Sequence, residues 1–298
     1  MRLAVTTAAA VLLGGGILGH PARLAAQVSS GPKSGWLVLS GSGESVANPE
    51  LLHRFVELAG GPSSEIIYIP TAATGIRTPS GFIADLPNTG EVLPSPAELE
   101  IQLARLFGVQ RLRLLHTRSR ATANSEAFVA PLRTARAAWI GYGNAGRLMQ
   151  LLGGTLLERE LRALLDRGGV LGGNSAGAIV QGSFILRGRP DKPVLVANGF
   201  TTGLGLLGNA AINPHLTSAK RQDELTQVLD TYPNLLGIGL DDDAGLVVHG
   251  DRAEVVGLGR VAIYDNQLHD SNWYYWLAPS DHLDLRTRRV AGPAQTAP

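Results

Sequence analysis

The sequence predicts a three-layer α/β fold, in which helices cover both faces of a mainly parallel sheet. Three observations lead to this prediction: strand-like and helix-like runs alternate from Ser34 onward, glycine-rich turns follow several of the strands, and consecutive short strands replace the alternation after Ile238. Regular alternation of strands and helices is typical of a parallel sheet. We therefore predict a single α/β domain over residues 34–284, with antiparallel hairpins at its C-terminal edge.

Short apolar runs mark the strands of this sheet, and helical spacing of apolar residues marks the helices between them. In chain order, the predicted strands of the parallel part are 35–40, 65–70, 111–115, 137–141 and 170–171. The predicted helices are 51–59, 97–107, 125–132 and 156–167. The hairpin strands are 245–249, 253–257 and 259–264. The basic run from Arg111 to Arg120 alternates charge with leucine, which indicates an edge strand with one solvated face.

Glycine-rich segments follow three of the predicted strands, at residues 40–44, 141–144 and 173–177. Functional sites on α/β sheets form at the carboxyl ends of the strands. We therefore expect these three segments to converge on one edge of the sheet and to build the functional site there.

Both ends of the chain are expected to lie outside the domain. Residues 1–26 have the pattern of a secretory signal peptide: Arg2 is followed by an apolar run of small residues, and two alanines precede Gln27. Leu24 departs from the usual small residue before a cleavage site, so cleavage elsewhere or an uncleaved anchor stays open. We expect export to the periplasm or the medium, with no stable membrane insertion after signal removal. Residues 285–298 are predicted to form a disordered tail.

Composition excludes several classes of site and partner. The 298 residues include no cysteine, which excludes disulfides, thiolate zinc sites and cysteine nucleophiles. The formal charge is +1, and removal of residues 1–26 takes away Arg2 and Arg23 and no acid, which changes it to −1. A chain so close to neutral gives no reason to expect a nucleic-acid partner. With 44% apolar residues, it has ample material for a buried core.

The segment Gly173–Gly177 predicts a nucleophile elbow, because it places Ser175 between two glycines directly after an apolar run. In such an elbow a sharp turn from strand to helix exposes the serine hydroxyl, and the glycines allow the turn without side-chain clashes. The run 176–181 then starts a helix whose first amides point toward the serine and stabilise an oxyanion. An ordinary solvated serine in a glycine-rich loop is the alternative.

A nucleophilic serine needs a base within hydrogen-bond reach and a group that orients the base. His215 is the candidate base, since it lies in a polar loop after an apolar run and before a predicted helix. The candidate acids are the three aspartates at 241–243, at the end of another apolar run. Such crowded carboxylates need a positive charge or a hydrogen-bond donor nearby, which a catalytic histidine would supply. Calcium binding is the alternative for this cluster, although the cluster offers few oxygen ligands.

Four segments resemble, in order and spacing, the cyanophycinase and aspartyl dipeptidase (dipeptidase E) family of serine peptidases. They are Gly172–Ala178, Asn213–His215, Arg221 and Gly237–Asp242. The resemblance implies a flavodoxin-like fold similar to that of class I glutamine amidotransferases, in which serine replaces the usual cysteine. It also implies a hydrolase that cleaves peptide or isopeptide bonds, with β-aspartyl bonds among the candidates, and that needs no metal or organic cofactor. A homodimer is a candidate assembly.

The resemblance also assigns roles to individual residues. It implies Ser175 as the nucleophile, His215 as the base and Asp242 as the third member of the triad. Asp241 is the alternative third member, because cyanophycinases have the longer glutamate at this place. The amides of Gly143 and Ala176 would form the oxyanion hole. The implied substrate-binding residues are Asn144, Asn174, Asn213, Arg221 and Asp241.

Two departures from the family's pattern concern the substrate. The run Tyr142–Ala145 ends in alanine where cyanophycinases have a glutamine, and Asn213–Pro214 replaces their Asp-Gln before the histidine. Both changes remove polar groups that face the substrate, and neither affects the triad. Hydrolysis is thus the expectation, and cyanophycin as the substrate stays open.

Parts of the sequence also fit three other functions. An α/β-hydrolase esterase would keep the elbow serine and Asp242 and would take His269 or His282 as its base. A catalytically inactive binding module would use the aromatic run Trp273–Trp276. A dinucleotide-dependent oxidoreductase is suggested by the Gly-x-Gly-x-x-Gly pattern at 141–146, but the acid expected at the end of the next strand is missing.

Overall fold

The computed structural model describes residues 29–42, 48–72, 75–78, 81–84, 96–192 and 194–292. The predicted signal peptide, residues 43 and 44 of the first glycine-rich segment and residues 293–298 lie outside this part of the chain. The helices are α1 (Pro49–Leu58), α2 (Pro96–Phe107), α3 (Arg120–Ala123), α4 (Glu126–Thr134), α5 (Ala145–Leu152), α6 (Leu156–Asp166), α7 (Ala176–Ile179) and α8 (Gln222–Thr231).

The strands are β1 (Trp36–Ser40), β2 (Glu65–Ile69), β3 (Gly75–Thr78), β4 (Gly81–Ala84), β5 (Arg111–Leu114), β6 (Ala137–Ile140), β7 (Val170–Asn174), β8 (Gly182–Phe184), β9 (Leu207–Pro214), β10 (Leu236–Leu240), β11 (Ala244–His249), β12 (Arg252–Gly257), β13 (Val261–Tyr264), β14 (Tyr275–Leu277), β15 (His282–Asp284) and β16 (Arg289–Ala291). All of the predicted strands and helices are present, with ends that differ by a few residues. The short β3–β4 hairpin was not predicted.

Helices cover both faces of the larger sheet, because its strands are apolar on both sides. Leu37 and Leu39 of β1 pack in one cluster with residues of α4, α5 and α6. Val38, between them, packs in a second cluster with residues of α1 and α2. Successive side chains of a strand point to opposite faces, so these two clusters are the two sides of one sheet. The predicted three-layer, flavodoxin-like α/β fold class is confirmed. Among the described residues, no helix combines the length and the apolar character that crossing a membrane requires.

Within the described residues, the larger sheet has nine strands in the order β16-β15-β12-β11-β1-β7-β6-β2-β5. The strands β1, β7, β6, β2 and β5 are parallel. The β11–β12 hairpin extends the sheet on the other side of β1, as predicted for the C-terminal strands. Strand β5 lies at the opposite edge, where Arg111 and Arg113 are exposed and Leu112 is buried. The predicted edge strand with one solvated face is therefore confirmed for Arg111–Leu114, whereas residues 115–119 lie beyond the strand and Arg120 begins α3.

A second sheet, which the sequence did not predict, has the order β14-β13-β10-β9-β8. Strands β8, β9 and β10 are parallel, and α8 connects β9 to β10. The third predicted hairpin strand, β13, pairs with β10 and thus belongs to this sheet. The chain changes sheets at Leu258 and Gly259, whose amides both donate to the carbonyl oxygen of Asp243 at 3.0 Å. The expectation that all hairpin strands close one edge is therefore wrong for β13.

The predicted disordered tail begins too early at residue 285. Strand β16 pairs with β15 through Arg289 and Asp284, and the side chains of Leu283 and Leu285 are fully buried. The hydroxyl of Tyr275 donates to the carbonyl oxygen of Arg288 at 2.7 Å. Strand pairing and the burial of two leucines hold this segment on the larger sheet. The run is too short for hydrophobic periodicity to predict the pairing or the burial.

Candidate active site

A cleft of about 310 Å³ lies where loops from the carboxyl ends of both sheets meet. Two of the three glycine-rich segments, 141–144 and 173–177, contribute to it. The third is adjacent, because the carbonyl oxygen of Ser40 accepts a hydrogen bond from the amide of Ser175 at 3.3 Å. The predicted convergence is thus confirmed for the described residues. The lining residues are Gly143, Asn144, Ala145, Ser175, Ile179, Leu186, Arg187, Pro214, His215 and Arg221.

Ser175 stands on a sharp turn between β7 and α7, as predicted for a nucleophile elbow. Its φ of 51° and ψ of −112° lie outside the regions that non-glycine residues normally adopt. The flanking glycines permit the turn because there is no space for a side chain: a Cβ on Gly173 would lie 2.6 Å from the carbonyl of Gly177. A Cβ on Gly177 would overlap the carbonyl oxygen of Ile140. The turn exposes the serine hydroxyl at the floor of the cleft.

Hydrogen bonds connect Ser175, His215 and Asp242 in series. The Nε2 atom of His215 lies 2.9 Å from the Oγ atom of Ser175, and its Nδ1 atom lies 2.6 Å from the Oδ1 atom of Asp242. The parallel pairing of β9 with β10 places His215 and Asp242 side by side, since Pro214 at the end of β9 is in register with Leu240 at the end of β10. His215 leaves its strand with a φ of 58°, which directs it from the second sheet toward the elbow on the first.

The side chain of Asp242 is held in its ionised form. Burial raises its pKa, but the hydrogen bonds from His215 and Ser218 and the charge of Arg221 outweigh burial, so the pKa lies below its ordinary value. An ionised carboxylate on Nδ1 favours the tautomer that leaves Nε2 of His215 free to accept a proton.

The two candidates for the third position, Asp241 and Asp242, have different hydrogen-bond partners. Asp241 accepts a hydrogen bond from the hydroxyl of Thr217, and it is not among the residues that line the cleft. Only Asp242 reaches His215. The carboxylate of Asp241 is thus directed toward the turn after His215, and its role in substrate binding stays a prediction.

Two of the predicted substrate contacts, Asn174 and Asn213, are wrong because these side chains have no exposed surface. Asn174 is fully buried, and its Oδ1 atom accepts a hydrogen bond from the indole of Trp139 at 3.0 Å. Asn213 is also fully buried, and it is hydrogen-bonded to Arg187 and Glu224. Both asparagines stabilise strand ends that carry site residues.

Gly143, Asn144 and Arg221 line the cleft, as their predicted roles require. Gly143 has a φ of 137°, which side chains rarely tolerate. Asn144 caps α5 through its Oδ1 atom, which accepts from the amide of Arg147 at 2.8 Å. Burial lowers the pKa of Arg221, the charge of Arg187 lowers it further, and Glu224 and Asp242 only partly compensate. The cleft therefore contains two partly buried cations, Arg187 and Arg221.

Residues 36–256 match the family model described as peptidase family S51. The chain belongs to peptidase family S51. This S51 protein is similar to the cyanophycinase of Geminocystis herdmanii, with 29% identity over 262 residues that cover 87% of this chain and 90% of the relative. The cyanophycinase of Synechococcus elongatus is 29% identical over 240 residues, which cover 79% of this chain and 69% of the relative.

The fold of this S51 protein is similar to the crystal structure of a peptidase from an acI-B1 actinobacterium. The TM-score is 0.60 at 23% identity, and the match covers 85% of this chain and 98% of that one. Together with the family model, these relatives identify the chain as a serine-type peptidase. The predicted family and enzyme class are confirmed.

Sequence reasoning missed one charged residue of the S51 cleft, Arg187. It lines the cleft beside Ser175, and its Nη1 atom lies 2.6 Å from Glu224 of α8. The only local signal was an arginine directly after the apolar run 184–186. Its partners are 26 or more positions away in the sequence, so the local pattern does not show them.

The residues that suggested an esterase, a binding module or an oxidoreductase have structural roles in this S51 peptidase. His269 is hydrogen-bonded to Asp265 at 2.8 Å, and His282 lies in β15, so neither takes the place that the esterase order requires. In the aromatic run, the ring of Tyr274 lies 4.9 Å from that of Tyr264 and 5.5 Å from that of Trp276, whereas Trp273 is exposed. The third glycine of the dinucleotide-like pattern, Gly146, allows close contact with the backbone of Gly188.

Proposed function

We propose that this S51 peptidase hydrolyses peptide or isopeptide bonds through an acyl-enzyme on Ser175. The observation that carries the proposal is the continuous series of hydrogen bonds from the hydroxyl of Ser175 through His215 to Asp242. A serine hydroxyl is a weak nucleophile unless a base accepts its proton, and a base works best when a third group orients it. The geometry supplies both.

In the proposed reaction, Oγ of Ser175 attacks the scissile carbonyl carbon while Nε2 of His215 takes the hydroxyl proton. The carbonyl oxygen becomes an oxyanion, which the amides of Gly143 and Ala176 stabilise. The C–N bond then breaks, and His215 gives its proton to the leaving amine. Water attacks the acyl-enzyme with the same base, which releases the acid product and restores Ser175.

The charge of the cleft supports a substrate with a carboxylate close to the scissile bond. One nitrogen of Arg221 donates to the carbonyl oxygen of Pro214 at 3.2 Å, and its other donors are available to a substrate. A planar guanidinium pairs well with a carboxylate. We propose β-aspartyl and related acidic peptides as the substrate class. Cyanophycin itself stays open as the substrate, because Ala145 and Pro214, which line the cleft, stand where cyanophycinases have glutamines.

Replacement of Arg221 with methionine tests this substrate class. We expect KM for an acidic peptide to rise about 10–100-fold, since a charged hydrogen bond contributes about 1.5–3 kcal/mol. The amide analogue of the same peptide should lose far less. Steady-state kinetics on both peptides measure the effect, and Lys220→Met, at the exposed neighbouring position, is the matched control. An equal loss for both peptides would contradict carboxylate binding.

The acyl-enzyme itself is tested with a fluorophosphonate probe, which phosphonylates activated serines. We expect stoichiometric labelling of the mature protein, with the adduct located on Ser175 by peptide mass spectrometry. Ser175→Ala should abolish labelling. Labelling that persists in this variant would place the nucleophile at another residue and overturn the proposal. A folded wild-type protein that does not react would also overturn it and would favour an inactive binding module.

We further propose that the peptidase acts outside the cytoplasm, because residues 1–26 have the pattern of a signal peptide. Expression of the full chain in a bacterial host should give a periplasmic or secreted protein that begins at Gln27. N-terminal mass spectrometry of the fractionated protein measures this. A protein that keeps Arg2 in the cytosolic fraction would refute export. The homodimer stays a prediction.

A further inference from the structure

One segment, Leu186–Arg189, contacts both sides of the cleft. On one side, the backbone of Gly188 lies against the first turn of α5, where a Cβ on Gly146 would overlap its carbonyl oxygen. The amide side chain of Asn144 donates to the carbonyl oxygen of Arg189 at 3.3 Å. The segment therefore touches the loop of the proposed oxyanion hole.

On the other side, Arg187 forms a closed ring of hydrogen bonds with Asn213 and Glu224. Its Nη1 atom donates to Oε2 of Glu224 at 2.6 Å, and its Nη2 atom donates to Oδ1 of Asn213. The amide of Asn213 donates to the same Glu224 oxygen at 2.9 Å. Each member comes from a different element: the loop after β8, strand β9 and helix α8. Charge-assisted bonds of this kind are strong where water is largely excluded.

Burial makes this ring rigid. Asn213 is fully buried, and the side chains of Arg187 and Glu224 are only 15% and 27% exposed. The backbone of Arg187 has a φ of 54°, in the left-handed region that disfavours residues other than glycine. Such a conformation persists only when the surrounding contacts over-determine it, and it is common near functional sites.

The ring fixes the position of the end of β9, and the proposed base, His215, follows directly after this strand. Asn213 is two residues before His215, and its side chain is hydrogen-bonded to both Arg187 and Glu224. An error of about 1 Å in the position of a catalytic group costs about 100-fold in rate. We propose that Arg187 is a positioning residue: through Asn213 it sets the place of His215 relative to Ser175, and through its backbone it joins this strand to the loop of Gly143. This inference rests on the proposed function.

Arg187 and Arg221, the two arginines of the cleft, differ in their hydrogen-bond partners. Both Nη atoms of Arg187 already donate to protein side chains, whereas Arg221 makes one bond, to a backbone carbonyl. A substrate carboxylate would have to compete with Glu224 for Arg187. Positioning is therefore the favoured role, and direct substrate binding is the alternative that the experiment distinguishes.

The decisive measurement is the rate at which a small, uncharged fluorophosphonate labels Ser175 in Arg187→Met. The probe has no carboxylate, so its reaction reports the placement of His215 and not substrate binding. We expect labelling to slow about 10–100-fold per folded molecule and kcat for a neutral peptide to fall equally, with KM changed less than about threefold. Glu224→Gln should give a smaller loss, because the hydrogen bonds remain and the charge is removed. Arg187→Lys, whose ammonium cannot span both acceptors, should recover only part of the rate.

Arg133→Met is the matched control. Arg133 also bridges two side chains on different helices, Glu126 and Glu160, but it does not line the cleft and its side chain is 46% exposed. We expect its labelling rate to equal that of the wild type. If Arg187→Met does not fold, Glu224→Gln carries the test.

The outcomes separate this inference from the proposed function. Unchanged labelling in Arg187→Met, with KM raised for acidic peptides only, would show that the arginine binds substrate and would overturn the positioning role. A lower melting temperature with unchanged labelling would show a purely structural role and would overturn it too. In both cases the acyl-enzyme stands if Ser175→Ala abolishes labelling, and it fails on its own if that variant still reacts.

Discussion

Replacement of Ser175 with alanine is expected to abolish peptide hydrolysis, with a loss of kcat of about 10⁵–10⁶-fold. The hydroxyl is the only nucleophilic group placed 2.9 Å from Nε2 of His215 among the described residues. Alanine occupies the same strained turn, so folding should change little. The measurement is kcat on the best peptide of an α- and β-aspartyl library, together with the thermal unfolding midpoint of both proteins.

His215→Ala should cost nearly as much as Ser175→Ala, and the double variant should cost little more than either. Groups that act as one unit are not additive, because the first replacement already removes the function of the second. Full activity in His215→Ala would refute the triad and would favour the esterase order with His269 or His282. Additive losses in the double variant would show that the two residues act in separate steps.

The second large effect is expected from Asp242→Asn, with a loss of kcat of about 10³–10⁴-fold. An amide in this place can donate to Nδ1 of His215, which favours the tautomer that protonates Nε2 and blocks it as a base. Since the pKa of Asp242 is lowered, the native carboxylate stays ionised at neutral and mildly acidic pH. The loss should therefore be present throughout that range, and a pH series of kcat measures it.

Asp241→Asn is the matched control, one residue away. Its carboxylate accepts from Thr217 and does not reach His215, so kcat should stay within a few-fold of the wild type. A larger loss in Asp241→Asn than in Asp242→Asn would assign the third position to Asp241 and contradict the geometry.

Local features were predictable because their cause is local. The elbow at Ser175 follows from two glycines at fixed spacing after an apolar strand, and the contacts of Gly173 and Gly177 show why no other residue fits. The edge position of β5 follows from its alternation of arginine and leucine. Such patterns report on a residue and its immediate neighbours, which is all that a short segment of sequence contains.

Non-local features were not predictable in this way. Asn174 and Asn213 are fully buried and so cannot contact substrate, and their burial depends on which strands and helices pack around them in the folded protein. The second sheet depends on the turn at Leu258–Gly259, which sends β13 to β10 instead of β12. The contacts of Arg187 with Asn213 of β9 and Glu224 of α8 form only in the folded protein, because these residues are distant from it in sequence.

The amino-acid sequence by itself determined the α/β class, the elbow and the candidate base, because periodicity and glycine spacing act over a few residues. Only the tertiary structure shows which of the adjacent residues Asp241 and Asp242 contacts His215. The reason is that the register of β9 with β10 and the left-handed backbone of His215 direct the imidazole to one carboxylate and leave the other to Thr217. The two aspartates have the same chemistry, and the position at which β9 ends beside β10 determines which of them contacts the histidine.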